Sequence, residues 1–231
     1  MGAAVIRRYP SPELPALGAR IPLPPATSHH VLVVCRHPRG DVLRLFDGAG
    51  GEVEARLVGT EAGLAVVEGL GPVPSPGSAG PRVVLAQALL KGAAFEEVLR
   101  LATACGASAV QPVITRRTVA RGGRPDRWAR ILEASARQCG RPDLPEVAPP
   151  CLLGEFVARP LPPARLVLLP GAAPCTAPEG DRCLLVGPEG GFDDDEVEIA
   201  RAAGFSPAGL GPWTLRAADA AAAALARYGW P

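Results

Sequence analysis

The sequence predicts an α/β protein in two parts, a small β-barrel in the first third and a parallel α/β domain in the remainder. Three observations carry this expectation. Residues 1–70 hold short apolar segments of alternating pattern, separated by Asp-Gly and Gly-rich turns, as in small all-β domains. Gly71 to Pro81 (GPVPSPGSAGP) is a Pro/Gly/Ser segment with the composition of a linker. From residue 82 to residue 231, apolar runs that end in glycine loops alternate with segments of helical period, the pattern of a parallel sheet with crossover helices.

In the first part, Val31-Leu32-Val33-Val34 is apolar throughout and reads as a strand. Val42, Arg44 and Phe46 alternate with Leu43 and Leu45, and Asp47-Gly48 then marks a turn. Val53, Ala55 and Leu57 alternate with Glu52, Glu54 and Arg56, which suits a half-buried antiparallel strand, and Leu64 to Val67 is another. After the linker, Val83 to Ala86 reads as the first strand of the second domain. Phe95, Val98, Leu99, Ala102 and Cys105 then fall at helical spacing, with Glu96, Glu97 and Arg100 on the other side. Gly106 stops that helix and Ala109 to Ile114 makes the next strand. A β-α-β opening of this kind predicts a right-handed parallel crossover.

The most informative stretch is Cys183 to Arg216. Leu184-Leu185-Val186 reads as a buried strand, and Gly187-Pro188-Glu189-Gly190-Gly191 follows it directly. Asp193 with Glu196 forms a capping-box start for a helix that runs to Gly204. A second short strand ends at Gly209-Leu210-Gly211-Pro212, and Leu215-Arg216 lead into an alanine-rich helix. Leu166 to Leu169 is a further buried strand, ending in Pro170-Gly171. In parallel sheets ligands sit beyond the carboxyl ends of the strands, so these three loops can form one crevice. Neither a G-x-G-x-x-G pattern nor a Walker loop is present, which argues against dinucleotide and nucleoside-triphosphate chemistry.

Composition bounds the remaining classes. The net charge is +1 and Lys91 is the only lysine, so arginine richness taken alone is discounted as a nucleic-acid signal. The local exception is Arg116 to Arg141, with eight arginines against Asp126 and Glu133, a credible phosphate-binding surface. No apolar run approaches the length of a membrane span, and residues 1–10 have no signal-peptide core. The six cysteines show no C-x-x-C spacing and read as free thiols in a reducing cytoplasm. No metal site is expected, because His29, His30 and His37 lack a carboxylate or cysteine cluster.

LLVGPEGGF (184–192) followed by LGPWTLR (210–216) resembles the SPOUT-superfamily methyltransferases of the RsmE type, which methylate N3 of a uracil in 16S ribosomal RNA. Gln138-Cys139-Gly140-Arg141, with Gly40-Asp41 and Phe46-Asp47-Gly48 upstream, extends the resemblance over nearly the whole chain. It implies a PUA-like RNA-binding β-barrel at 1–70, the linker at 71–81, and a SPOUT domain with a trefoil knot at 82–231. It further implies S-adenosylmethionine as cofactor, 16S rRNA or the small ribosomal subunit as substrate, and a homodimer in the cytoplasm.

The implied cofactor residues are Leu169, Pro170 and Gly171; Val186, Gly187, Pro188, Glu189, Gly190 and Gly191; and Leu210, Gly211 and Leu215. Arg216 is the candidate for holding the uracil carbonyls or a phosphate, and Asp219, the nearest following carboxylate, is the candidate proton acceptor. Arg7, Arg8, Arg36, Arg116, Arg117, Arg121 and Arg141 are the candidate RNA contacts. The chain departs from the family at Trp213, where arginine is usual, and at Ala217-Ala218, where Thr-Glu is usual. Two alternatives follow: a catalytically impaired paralogue that binds RNA and the cofactor, or a SPOUT methyltransferase with another RNA target.

Overall fold

The protein is described by a computed structural model over residues 7–74, 80–119 and 124–229. Residues 75–79 of the sequence-read linker, and Arg121, lie outside these described residues. Contacts divide the chain into two compact units, Met1–Ser78 with Glu133–Leu144, and Ala79–Leu132 with Pro145–Pro231.

The first unit is built on a five-stranded sheet of β1 (Arg8–Pro10), β2 (Arg20–Pro22), β3 (Val42–Phe46), β4 (Glu52–Glu61) and β5 (Leu64–Pro72), in the order β1-β3-β4-β5-β2. Antiparallel registers place Leu43 opposite Ala55, Leu45 opposite Val53 and Leu57 opposite Val67, so the alternating residues share one buried face. β1 and β2 each carry a proline and occupy the two edges, where a missing amide donor breaks no ladder. Asp47 Oδ1 accepts from the amides of Ala49 (2.7 Å) and Gly51 (2.9 Å), which fixes the turn after β3.

Val31 to Val34, expected as a strand, are helical. α1 (Pro25–His29) runs into a π-helical turn, His30–Val34, closed by a bond from the Cys35 amide to the His30 carbonyl at 2.8 Å. Pro25 at the first helical position starts α1, and the Ser28 hydroxyl ties it to the sheet, donating to Leu23 O (2.9 Å) and accepting from the Ala65 amide (3.0 Å). Val31 is fully buried in the core and Leu32 packs partly against it, whereas Val33 and Val34 are more than half exposed. The apolar run therefore reflects one-sided burial at helical spacing, and a run alone does not distinguish the two.

The second unit is an all-parallel sheet. Its strands are β6 (Val83–Ala88), β7 (Ala109–Ile114), β8 (Glu146–Val147), β9 (Cys151–Leu152), β10 (Ala164–Leu168), β11 (Arg182–Val186) and β12 (Ser206–Ala208). Their order is β12-β10-β11-β6-β7-β8, with β9 pairing β7. Helices α2 (Ala94–Ala104), α3 (Pro125–Cys139), α4 (Leu153–Val157), α5 (Asp194–Ala202) and α6 (Ala217–Tyr228) complete the chain. α2 packs against α6, and α4 against α5. Every residue of β11 is buried, as expected of a parallel strand covered on both faces. One core gathers Ala86, Val113, Val167, Cys183, Leu185, Ala200 and Phe205. Burial pushes the Cys183 thiol up to about 12, so it stays protonated at neutral pH.

α5 follows its sequence signals closely. The Asp193 side chain accepts from the Glu196 amide at 2.9 Å, and Glu196 returns the bond to the Asp193 amide at 3.1 Å. Gly204, at φ +82°, lies just beyond the helix.

Arg182 is the largest of the fully buried side chains, although it is charged. Its Nε donates to Gly180 O and its Nη1 to Tyr228 O, both at 2.9 Å, so the guanidinium satisfies a carbonyl at the end of α6. Burial lowers its pKa, as desolvation of a cation must. Arg182→Ala is expected to destabilise the protein by about 2–3 kcal/mol, the value of buried hydrogen bonds from a charged donor. Urea denaturation measures it.

Candidate active site

Because all strands of the second unit run the same way, their carboxyl ends share one edge. Leu168 pairs with Val186 and Ala208, and Val186 pairs with Gln87, so the strand ends of β12, β10, β11 and β6 stand side by side. β6 continues in sequence to β7 on one side while β11 flanks it on the other, which makes this the topological switch point. Gln87 is fully buried there, and its Nε2 lies within reach of the carbonyls of Ala88 (3.1 Å) and Gly187 (3.2 Å). It ties the end of β6 to the loop after β11.

Beyond these ends lies a cavity of about 850 Å³. Its wall includes Leu169 and Pro170 after β10, Val186 to Glu189 and Gly191 after β11, and Leu210, Gly211 and Leu215 after β12. Ten of the twelve residues expected at the cofactor thus lie on one wall, along with Arg216 and Asp219. Gly171 and Gly190 are not on it. Gly190 instead faces Arg117, whose Nη1 donates to the Gly190 carbonyl at 2.6 Å.

Gly209 sits where two chain segments touch. Its amide donates to Ala173 O (3.1 Å), its carbonyl accepts from Tyr228 Oη (2.6 Å), and the neighbouring Ala208 carbonyl accepts from the Leu169 amide (3.1 Å). A Cβ at Gly209 would overlap the carbonyl oxygen of Ala172. The loops after β10 and β12 are therefore held backbone against backbone.

The fourth wall comes from α2 and the loop before it: Leu90, Ala93, Ala94, Glu97 and Arg100. Reading the sequence by its glycine loops missed these residues. The available signal was that Leu89 to Gly92 is one more strand-end loop at the same edge. The mouth is charged. Glu97 pairs with Arg100 at 2.7 Å, and Arg216 Nε with Asp219 at 2.8 Å. The hydrogen bond to Asp219 raises the Arg216 pKa, and the nearby Glu97 carboxylate adds to it. The Arg216 side chain is 88% exposed, free to meet a ligand. Apolar residues at the strand ends, backbone polar groups from the loops and a charged rim suit a flat heteroaromatic with a charged tail. S-adenosylmethionine has that chemistry; the carboxylates on the lining are Glu97, Glu189 and Asp219, of which Glu97 and Asp219 are paired with Arg100 and Arg216.

The candidate RNA contacts differ in exposure and in pairing. Arg7 and Arg36 are exposed; Arg8 pairs with Glu52 at 2.8 Å. Arg141 forms a two-pronged pair with Asp143, next to Gly140, whose φ is +83°. That segment meets the turn after β3, since the Leu144 amide donates to Gly48 O at 2.9 Å. Arg116 bridges Asp193 (3.0 Å) and Asp195 (2.8 Å) at the start of α5, and Arg127 pairs with Glu96. Part of the positive charge between residues 116 and 141 is thus already neutralised within the fold. No group of histidine, cysteine or carboxylate residues suited to a metal ion occurs among the described residues.

A family model described as an RNA methyltransferase domain matches residues 78–229. The ribosomal RNA small subunit methyltransferase E of Synechocystis sp. is 36% identical over 226 residues, covering 90% of this chain and 72% of that protein. The chain belongs to the small-subunit ribosomal RNA methyltransferase E family. The family member of Mycobacterium bovis is 33% identical over 239 residues, covering 94% of this chain and 88% of its own length. The crystal structure of the Neisseria gonorrhoeae methyltransferase E bound to S-adenosyl methionine superimposes with a TM-score of 0.88 at 30% identity, covering 96% of this chain and 95% of that one. The α/β architecture, an N-terminal mostly-β sheet followed by a parallel α/β sheet, is that of the methyltransferase E structures. No helix among the described residues is long and apolar enough to cross a membrane.

Proposed function

We propose that the protein transfers a methyl group from S-adenosylmethionine to N3 of a uracil in 16S ribosomal RNA. The observation that carries this reading is a cavity walled together by the loops after β10, β11 and β12, with Arg216 on its lining. S-adenosylmethionine bound there supplies an electrophilic methyl group. The glycine loops hold it through backbone groups, and the cavity keeps the methyl carbon in line with the incoming nitrogen, so positioning supplies much of the rate. Arg216 stabilises negative charge that develops on the uracil ring. Asp219, held by Arg216, takes the N3 proton as the N–CH₃ bond forms and the S–CH₃ bond breaks. N3 lies on the pairing edge, so the target base must be unpaired or flipped out.

We also propose that the first unit, Met1–Ser78 with Glu133–Leu144, is a PUA-like domain that holds RNA, and that the second unit, Ala79–Leu132 with Pro145–Pro231, is a knotted SPOUT domain. The backbone crossing at Gly209 supports the knot. The protein works in the cytoplasm as a homodimer. Half-exposed alanines on α6, among them Ala218, Ala222 and Ala223, suit close packing against a second copy.

The test is transfer of labelled methyl from S-adenosylmethionine to unmethylated small subunits, with the product mapped by reverse transcription. One new stop at a uracil supports the reading. Cofactor binding without transfer would instead favour an RNA-binding paralogue.

A further inference from the structure

Trp213 is 83% exposed, and its neighbours Pro212, Thr214, Leu215 and Arg216 are exposed as well. An indole usually buries most of its large apolar area, so one left open to this degree is uncovered surface awaiting a partner. Two observations, together with one consequence of the proposed reaction, set what that partner is. Trp213 lines the same cavity as the glycine loops, so whatever touches the indole lies beside the seat of the methyl donor. Arg216, three residues on, offers a guanidinium whose side chain is 88% exposed and whose ion-pair partner is Asp219. The substrate base presents its pairing edge to this cavity and so arrives with its faces unstacked. An aromatic face beside an arginine is the combination that captures an unpaired nucleotide, one group for the base and the other for a phosphate or ring carbonyl.

We propose that Trp213 is a positioning residue that stacks on an unpaired base of the RNA at the mouth of the cavity, while Arg216 takes the phosphate or carbonyls of the same segment. The inference rests on the methyltransferase reading, which supplies an RNA substrate whose target base enters this cavity. The indole stacks on any base, so Trp213 sets affinity and placement, and base identity is read elsewhere.

The experiment follows anisotropy of a fluorescein-labelled, unstructured oligouridine at low salt, with no methyl donor present. It compares the full chain with Trp213→Ala and Trp213→Phe. The alanine variant should bind about 5- to 150-fold more weakly, the span of one base–aromatic stack. The phenylalanine variant should keep most of the affinity, and thermal melts of all three should coincide. Equal affinity of the wild-type and alanine proteins overturns the proposal, as does absence of binding by the wild type. A drop in sedimenting mass on Trp213→Ala also overturns it, by assigning the indole to a second copy of the chain. In the methyl-transfer assay, Trp213→Ala should raise KM for the small subunit more than it lowers kcat. A wild-type protein that transfers no methyl group counts against the enzyme reading alone and leaves the binding comparison intact.

Discussion

Replacing Gly209 with alanine is expected to lower Tm by about 10 °C, with a loss of about 3 kcal/mol or more. The reason is the identity of the atoms involved. An added Cβ would overlap the Ala172 carbonyl oxygen and crowd its carbonyl carbon, both backbone atoms without a rotamer to yield. Relief requires the loops after β10 and β12 to separate, which breaks the bonds from the Gly209 amide to Ala173 O and from Tyr228 Oη to Gly209 O. Leu169, Pro170, Leu210 and Gly211 belong to those loops and line the cavity, so affinity for S-adenosylmethionine should fall with stability. Gly190→Ala is the control. Its Cβ would meet only the aliphatic stem of Arg117 at 3.3 Å or more, and that exposed side chain can move. Differential scanning fluorimetry and titration calorimetry measure both variants. A Gly209→Ala protein that melts with the wild type would show that the two loops are not in contact.

Arg216→Ala should lower kcat by about 100- to 1,000-fold, the cost of removing one group aimed at developing negative charge. The affinity for S-adenosylmethionine should stay within about twofold, because the guanidinium is directed to the substrate in the proposed mechanism. Folding stability should change little: Arg216 is exposed and its ion pair with Asp219 is a surface pair, of which the median value is about 0–1 kcal/mol. Arg216→Lys should recover part of the rate, since it restores the charge but not the planar fork. Single-turnover methyl transfer with saturating cofactor separates these effects. An unaltered rate in the alanine variant would remove Arg216 from the mechanism.

Several features of this protein were legible in local sequence because local forces decide them. Leu184 to Val186 form a buried strand, Asp193 and Glu196 cap the following helix, and Gly204 lies just past its end. Each depends on atoms a few residues apart, so composition and spacing suffice. The parallel order of the sheet followed from the β-α-β rhythm, and with it the location of the glycine loops at one edge. Departures from this reading occur where burial or pairing is set by distant chain. Val31 to Val34 became a helical turn because Val31 and, in part, Leu32 found a core while Val33 and Val34 found solvent. Arg116 and Arg127, counted in the positive surplus of the 116–141 segment, are paired with Asp193, Asp195 and Glu96, which are not neighbours in sequence. The fourth wall of the cavity, with Glu97 and Arg100, appears only once α2 is packed beside the start of α6. Sequence alone therefore determined the buried central strands, the capped helix after β11 and the glycine loops at one edge of the sheet. Tertiary structure alone decided which charges are paired within the fold, why Gly209 admits no side chain, and that Trp213 and Arg216 are left exposed beside the cavity. The division follows the range of the forces: propensity and capping act along the chain, whereas desolvation and ion pairing depend on what the fold brings alongside.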